Sequence, residues 1–169
     1  VRLVEKIVTA AANFLAVAGP AILLVLAVFT LFDGLLRALA NYPLDFVREI
    51  GDLVAAICGA CCLPIVLLYR NNITLRIFEK VLPPNGVRIF DVFASLLIEI
   101  VMIAMAWEFF QFSIKTMNAN DVTWLLNVPK APFWFVVDAV LWVAVAVQTF
   151  VLIQDIVGRR SAPSEEAAP

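Results

Sequence analysis

Four long apolar runs divide the chain, and short polar stretches separate them. The first holds no charged residue from Ile7 to Phe32, and the second none from Leu53 to Tyr69. At about 1.5 Å rise per residue, a helix over residues 8–32 covers roughly 37 Å, more than the roughly 30 Å hydrocarbon core of a bilayer. The pattern therefore predicts an all-α integral membrane protein with four spans, over about 8–36, 45–69, 87–111 and 131–154. The first run exceeds the apolar core of a cleaved signal peptide, which predicts that it stays as a spanning helix.

The polar stretches predict how the spans connect. Around the first bend, Asp33 and Arg37 stand four apart and can pair as the helix leaves the membrane, while Asn41, Tyr42 and Pro43 break it. Asp45 is placed to cap the second helix, and Asp45, Arg48, Glu49 and Asp52 follow at three- and four-residue spacings. That spacing fits a solvated helix start or a buried charge network between helices or subunits. The second connection is basic, and within it Ile73, Ile77 and Val81 recur every fourth residue, with Arg76 and Lys80 elsewhere on the wheel before Pro83-Pro84. This predicts a short amphipathic helix over about 72–82 lying on the membrane surface, with Ile73, Arg76, Ile77 and Lys80 at the interface. In the third connection, Trp124 and Trp134 suit the headgroup level, where aromatic rings anchor helices. The tail 158–169 is small, polar and proline-containing, and is expected to be disordered and cytoplasmic.

Inside the spans, a few residues carry chemistry or packing information. Glu99 lies near the middle of the third span and Asp138 two turns into the fourth. An acid at the bilayer centre costs about 2.5–3.5 kcal/mol, so both are expected to face protein or water. In the second span, Gly51, Ala55 and Gly59 form one row at spacing four and Ala56 and Ala60 another. Rows of this kind let a second helix approach closely. Cys58 and Cys61 match a CxxC spacing, with Cys62 beside them, yet the chain has no histidine. Small packing residues fit that depth better than zinc or redox chemistry. Proline at positions 20 and 64 predicts kinks.

Composition supports the membrane reading and removes other classes. Hydrophobic residues make up 63 % of the chain and charged residues 15 %. Ordinary soluble domains hold roughly 45–50 % and about 25 %. A net charge of -2 without a basic block gives no surface for nucleic acid. The lack of histidine removes imidazole-dependent catalysis, haem anchoring and the commonest metal ligand, so neither a catalytic residue nor a cofactor is expected in this chain. Four spans put both termini on one side. The termini and the 70–88 segment carry eight basic residues against four in the other loops, which places both termini in the cytoplasm by the positive-inside rule.

The order of these features resembles the small membrane subunit, DctQ type, of tripartite ATP-independent periplasmic (TRAP) transporters. The resemblance covers about residues 5–155. It rests on the four spans, on Arg37 and Arg48-Glu49 around a proline, on Asn72-Ile73-Thr74-Leu75 leading to Leu82-Pro83, and on Trp124-Leu125-Leu126-Asn127-Val128-Pro129 before the last helix. The family often has histidine where this chain has Asn72.

The resemblance implies a bacterial or archaeal inner-membrane subunit with two partners. One is a large multi-span subunit, DctM type, that moves an organic acid with a sodium gradient. The other is a periplasmic substrate-binding protein, DctP type. This chain would hold the large subunit in place and help dock the binding protein. Asp33, Arg37, Arg48, Glu49, Asp52 and Gly59 are the candidates for those contacts, and Glu99 and Asp138 are the candidate buried acids. Two other classes stay open at this point: a stand-alone proton-coupled transporter using Glu99, and a membrane thiol redox protein using the three cysteines.

Overall fold

The computed structural model describes residues 2–40, 44–69 and 84–157. These form five helices: α1 (Arg2–Ala40), α2 (Asp45–Cys61), α3 (Leu63–Tyr69), α4 (Pro84–Asn118) and α5 (Ala131–Val157). Four stretches are long and apolar enough to cross a membrane: Lys6–Leu39, Phe46–Leu68 across α2 and α3, Val92–Asn118 and Ala131–Val157. The chain is an all-helical, multi-pass membrane protein. The expected surface helix over 72–82, with Ile73, Arg76, Ile77 and Lys80, and the tail 158–169 lie outside the described residues.

The helices do not close into a square bundle. Helix α5 lies at the centre, packed against α4 on one side and against α2 and α3 on the other, while α1 packs mainly on α2 and α3. Half of the α5 span is buried, against only 6 % of the α1 span. The cause is visible in α5 itself, where Val137, Val140, Leu141, Ala144, Val145, Val147 and Val151 are all buried. A helix that is apolar on every side can sit among neighbours, whereas one with a single buried stripe must face lipid or a partner. Ala106 of α4 and Ala144 of α5 are fully buried, and their small size lets these two helices approach closely. Met102, Ala60 and Cys61 complete the core around them.

Local features shape the long helices. Helix α1 is continuous through Pro20, which removes one backbone donor from it. Pro64 has a larger effect, because the second span is two helices, α2 and α3, separated at Cys62. Proline cannot donate to the carbonyl four residues earlier, and the Cys62 N–H instead donates to the Gly59 carbonyl in a tighter turn of 3.3 Å. Helix α4 continues to Asn118, and Ser113 and Thr116 in its last two turns are buried.

Candidate docking surface

The α1–α2 bend and the α4–α5 loop lie at the same end of the bundle, where Asp33 joins α1 to the start of α2 and Glu49 joins α2 to the loop. Asp33, in the last two turns of α1, uses both carboxylate oxygens. One faces Arg37 Nη2 at 3.6 Å, the pair expected from their spacing, and the other accepts the Leu44 N–H at 2.5 Å. Leu44 is the N-cap of α2 and makes no side-chain cap, so the role expected of Asp45 falls to Asp33 across the bend. This bond satisfies a donor at the helix entry and sets where α2 starts relative to α1.

Glu49 performs the second tie. Its Oε1 accepts the Leu125 N–H at 2.6 Å and its Oε2 the Leu126 N–H at 3.0 Å. The loop that it holds is itself ordered. Val122 and Pro129 form an antiparallel bridge, the Thr123 N–H donates to the Val128 carbonyl, and the Val128 N–H donates to the Thr123 hydroxyl. Asn120 and Asn127 take the left-handed conformation, with φ 48° and 51°, which asparagine tolerates better than most residues. Lys130 Nζ lies 3.4 Å from both Asp121 carboxylate oxygens and closes the base of the loop. The result is a firm tip that carries apolar side chains outward.

The two tryptophans singled out as anchors have different surroundings. Trp124, at the loop tip, is 96 % exposed. Trp134 is half-buried and lies edge-on to Phe112 at 5.2 Å, with Phe109 at 6.2 Å. Trp134 therefore holds α5 against α4, and of the two only Trp124 is free to meet lipid or another protein.

Arg48 and Asp52 leave the grouping that spacing suggested. Both are exposed on α2, whereas Glu49 turns toward the loop. They share their face with Ala55 and Gly59, also exposed, while Ala60 on the opposite row is buried against α5. Within the first small-residue row, Gly51 faces Leu26 of α1 while Ala55 and Gly59 are exposed, and Ala60 of the second row is buried.

Deeper in the membrane, polar groups join α4 to α5. Glu99 and Asp138 are buried, at 8 % and 5 % exposure. Thr149 Oγ1 lies 2.7 Å from Glu99 Oε1 and 2.9 Å from the Val145 carbonyl. Gln148 Nε2 donates to the Ser95 carbonyl, and the Ser95 hydroxyl donates to Asp155 Oδ2 at 2.6 Å. Such bonds hold register where no water competes. Among the described residues, Glu99 Oε2, Asp138 Oδ1 and Ser113 Oγ are buried without a hydrogen-bond partner. The partners Ser95, Gln148 and Thr149 escape a sequence reading, although their polarity within apolar runs is the available signal.

The cysteines are structural in their surroundings. Cys58 and Cys61 are buried free thiols, and Gly19 of α1 lies directly against them. A Cβ at Gly19 would come within 2.9 Å of Cys61 Cβ and 3.2 Å of the Cys58 carbonyl, so this glycine permits a close approach of α1 and α2. Among the described residues, no group of three or more Cys, Asp or Glu side chains is arranged to hold a metal ion. A cavity of about 180 Å³ between α1 and α2 is lined only by apolar chains, including Leu26, Phe29, Phe46 and Ile50.

A multi-pass helical membrane protein with a firm, acid-tied loop end is the class that these features define. The family model of the tripartite ATP-independent periplasmic transporters, DctQ component, matches residues 26–161, and the chain belongs to that family. It is a small membrane component of a TRAP transporter, a system in which it works with other subunits. No curated protein and no solved structure matches the chain.

Proposed function

We propose that the chain is the fixed scaffold subunit of a sodium-coupled TRAP transporter for organic acids such as dicarboxylates or sialic acid. The large DctM-type subunit would carry substrate and sodium in an elevator-like movement. This chain would extend the immobile frame against which that movement occurs, and its loop end would help to dock a DctP-type binding protein. The observation that carries the reading is the family match across the last part of the first span and all later spans. The ties from Asp33 to Leu44 and from Glu49 to Leu125 support it, because a docking surface must hold its shape. The cavity between α1 and α2 offers no polar group to a carboxylate, which agrees with substrate recognition residing in the partners.

The charge bias of the connections supports cytoplasmic termini in a bacterial or archaeal inner membrane. Trp124 and the loop end then face the periplasm. Deletion of this chain tests the reading: uptake of the organic acid and membrane levels of the large subunit should both fall sharply. Unchanged uptake would sink it. Transport by this chain alone, abolished by Glu99→Gln, would replace it with the proton-coupled reading.

A further inference from the structure

We propose that Glu99 keeps its proton in the folded chain and donates it to the Thr149 hydroxyl, so that a neutral relay from Glu99 through Thr149 to the Val145 carbonyl clips α4 onto α5. This goes beyond the scaffold reading and does not depend on it.

The first argument is a count of hydrogens. Thr149 Oγ1 lies 2.7 Å from Glu99 Oε1 and 2.9 Å from the Val145 carbonyl oxygen. Both are hydrogen-bond distances, yet a hydroxyl carries a single hydrogen and a carbonyl none. With Glu99 ionised, one of the two close oxygen pairs would hold no hydrogen. A proton on Oε1 completes both: the acid donates to Thr149, and the Thr149 hydroxyl donates to the carbonyl one turn back in its own helix. The neighbouring Ser95 hydroxyl needs no such addition, because it meets a single acceptor, Asp155 Oδ2.

The second argument is charge. Among the described helices, only α5 packs against α4, so α5 is what Glu99 faces. The charged residues of α5 are Asp138 and Asp155, and it holds no lysine or arginine. The basic residues of α4 itself are Arg88 and Lys115, about 16 and 24 Å of helix from Glu99. Glu99 forms no ion pair among the described residues. It is only 8 % exposed, and its Oε2 is buried without a donor. A carboxylate there would be out of water, short of donors and opposite a helix whose charges are all acidic, whereas the neutral acid leaves only a carbonyl-like oxygen unmet. A proton that stays in place makes Glu99 a joint between helices and leaves the proton-coupled reading without its acid.

Infrared spectroscopy of the purified chain in detergent at neutral pH tests this. The wild type should show the C=O stretch of a protonated carboxyl group that Glu99→Gln lacks. Labelling with carboxyl-carbon-13 glutamate should shift that band in the unaltered chain, which separates it from Asp138 and requires no variant to fold. Thermal unfolding gives a second readout. A proton kept by the folded chain and released by the unfolded one stabilises the wild type fully below the ordinary glutamate range, and that contribution is lost as pH rises. Glu99→Gln has an amide donor and no proton to release, so its unfolding temperature should gain several degrees on the wild type between about pH 5 and about pH 8. A glutamate spectrum of ionised carboxylate alone, or a difference between the two proteins that stays flat or falls over that range, would overturn the proposal.

Discussion

The Glu49 carboxylate of α2 accepts the backbone N–H of Leu125, 76 positions later in the chain, at 2.6 Å. With the neighbouring Leu126 bond, this one side chain fastens the α4–α5 loop to the second helix. In Glu49→Ala, the Leu125 and Leu126 amides should exchange with solvent several-fold faster, while the Thr123 amide, bonded to the Val128 carbonyl, should keep its protection. Hydrogen exchange of the loop peptide, read by mass spectrometry or NMR, checks this. Equal protection in both proteins would show that the loop holds itself.

Asp33 should matter more than its ion pair does. Arg37 is half-exposed, at 54 %, so Arg37→Ala should cost no more than about 0.5 kcal/mol. Asp33→Ala also removes the acceptor for the Leu44 N–H and should cost about 1–2 kcal/mol, with Asp33→Asn in between because its amide oxygen still accepts. Thermal unfolding in detergent gives the order.

Gly19→Ala should destabilise by about 1–3 kcal/mol, since its Cβ would press on Cys61 Cβ and a backbone carbonyl, neither of which can swing aside. Gly34→Ala should be neutral or stabilising by up to about 1 kcal/mol, because the site is open and alanine favours the helix. Similar unfolding temperatures for the two variants would mean that α1 can shift without loss.

Thr149→Val removes the hydroxyl that meets Glu99 Oε1. The expected loss is about 0.6 kcal/mol, the average for hydrogen bonds between membrane helices, and no more than about 1.7 kcal/mol. Thr149→Ser keeps the hydroxyl and should retain most of the stability. If the two variants unfold alike, the contact contributes nothing.

Trp134→Ala should cost about 2–3 kcal/mol, less than a fully buried tryptophan because Trp134 is only half-buried, through lost contact with Phe109 and Phe112. Trp124→Ala should leave the stability of the purified protein within about 0.5 kcal/mol, because its ring is 96 % exposed. Unfolding in detergent separates the two. A large loss at Trp124 would show that its ring has a partner in the folded chain.

Much of this architecture can be read along the sequence, and the misreadings have identifiable causes. The Asp33–Arg37 pair follows from spacing because both residues lie in one helix. The Glu49 tie does not, since nothing local to Glu49 or Leu125 reveals that a loop from the other end of the chain folds over α2. Asp45 looks like a cap by residue type, yet Leu44 is the N-cap of α2 and its N–H donates to Asp33. Trp124 and Trp134 look equivalent at their distances from a span, and only the packing of α4 on α5 makes one of them part of the interior.

Hydropathy and length by themselves determined that this chain crosses a membrane four times, because transfer of each side chain into lipid depends on its own chemistry and on how many such residues follow one another. They also placed Glu99 and Asp138 at depth, where an acid must find shelter. Only the tertiary structure decided which side of each helix is inside. Ala60 and Gly59 are adjacent in sequence and equally small, yet one packs against α5 and the other opens outward. The reason is that lipid and protein interior are nearly equally apolar, so hydrophobicity cannot choose between them. That choice comes from shape complementarity and from polar contacts between helices that are distant in the chain.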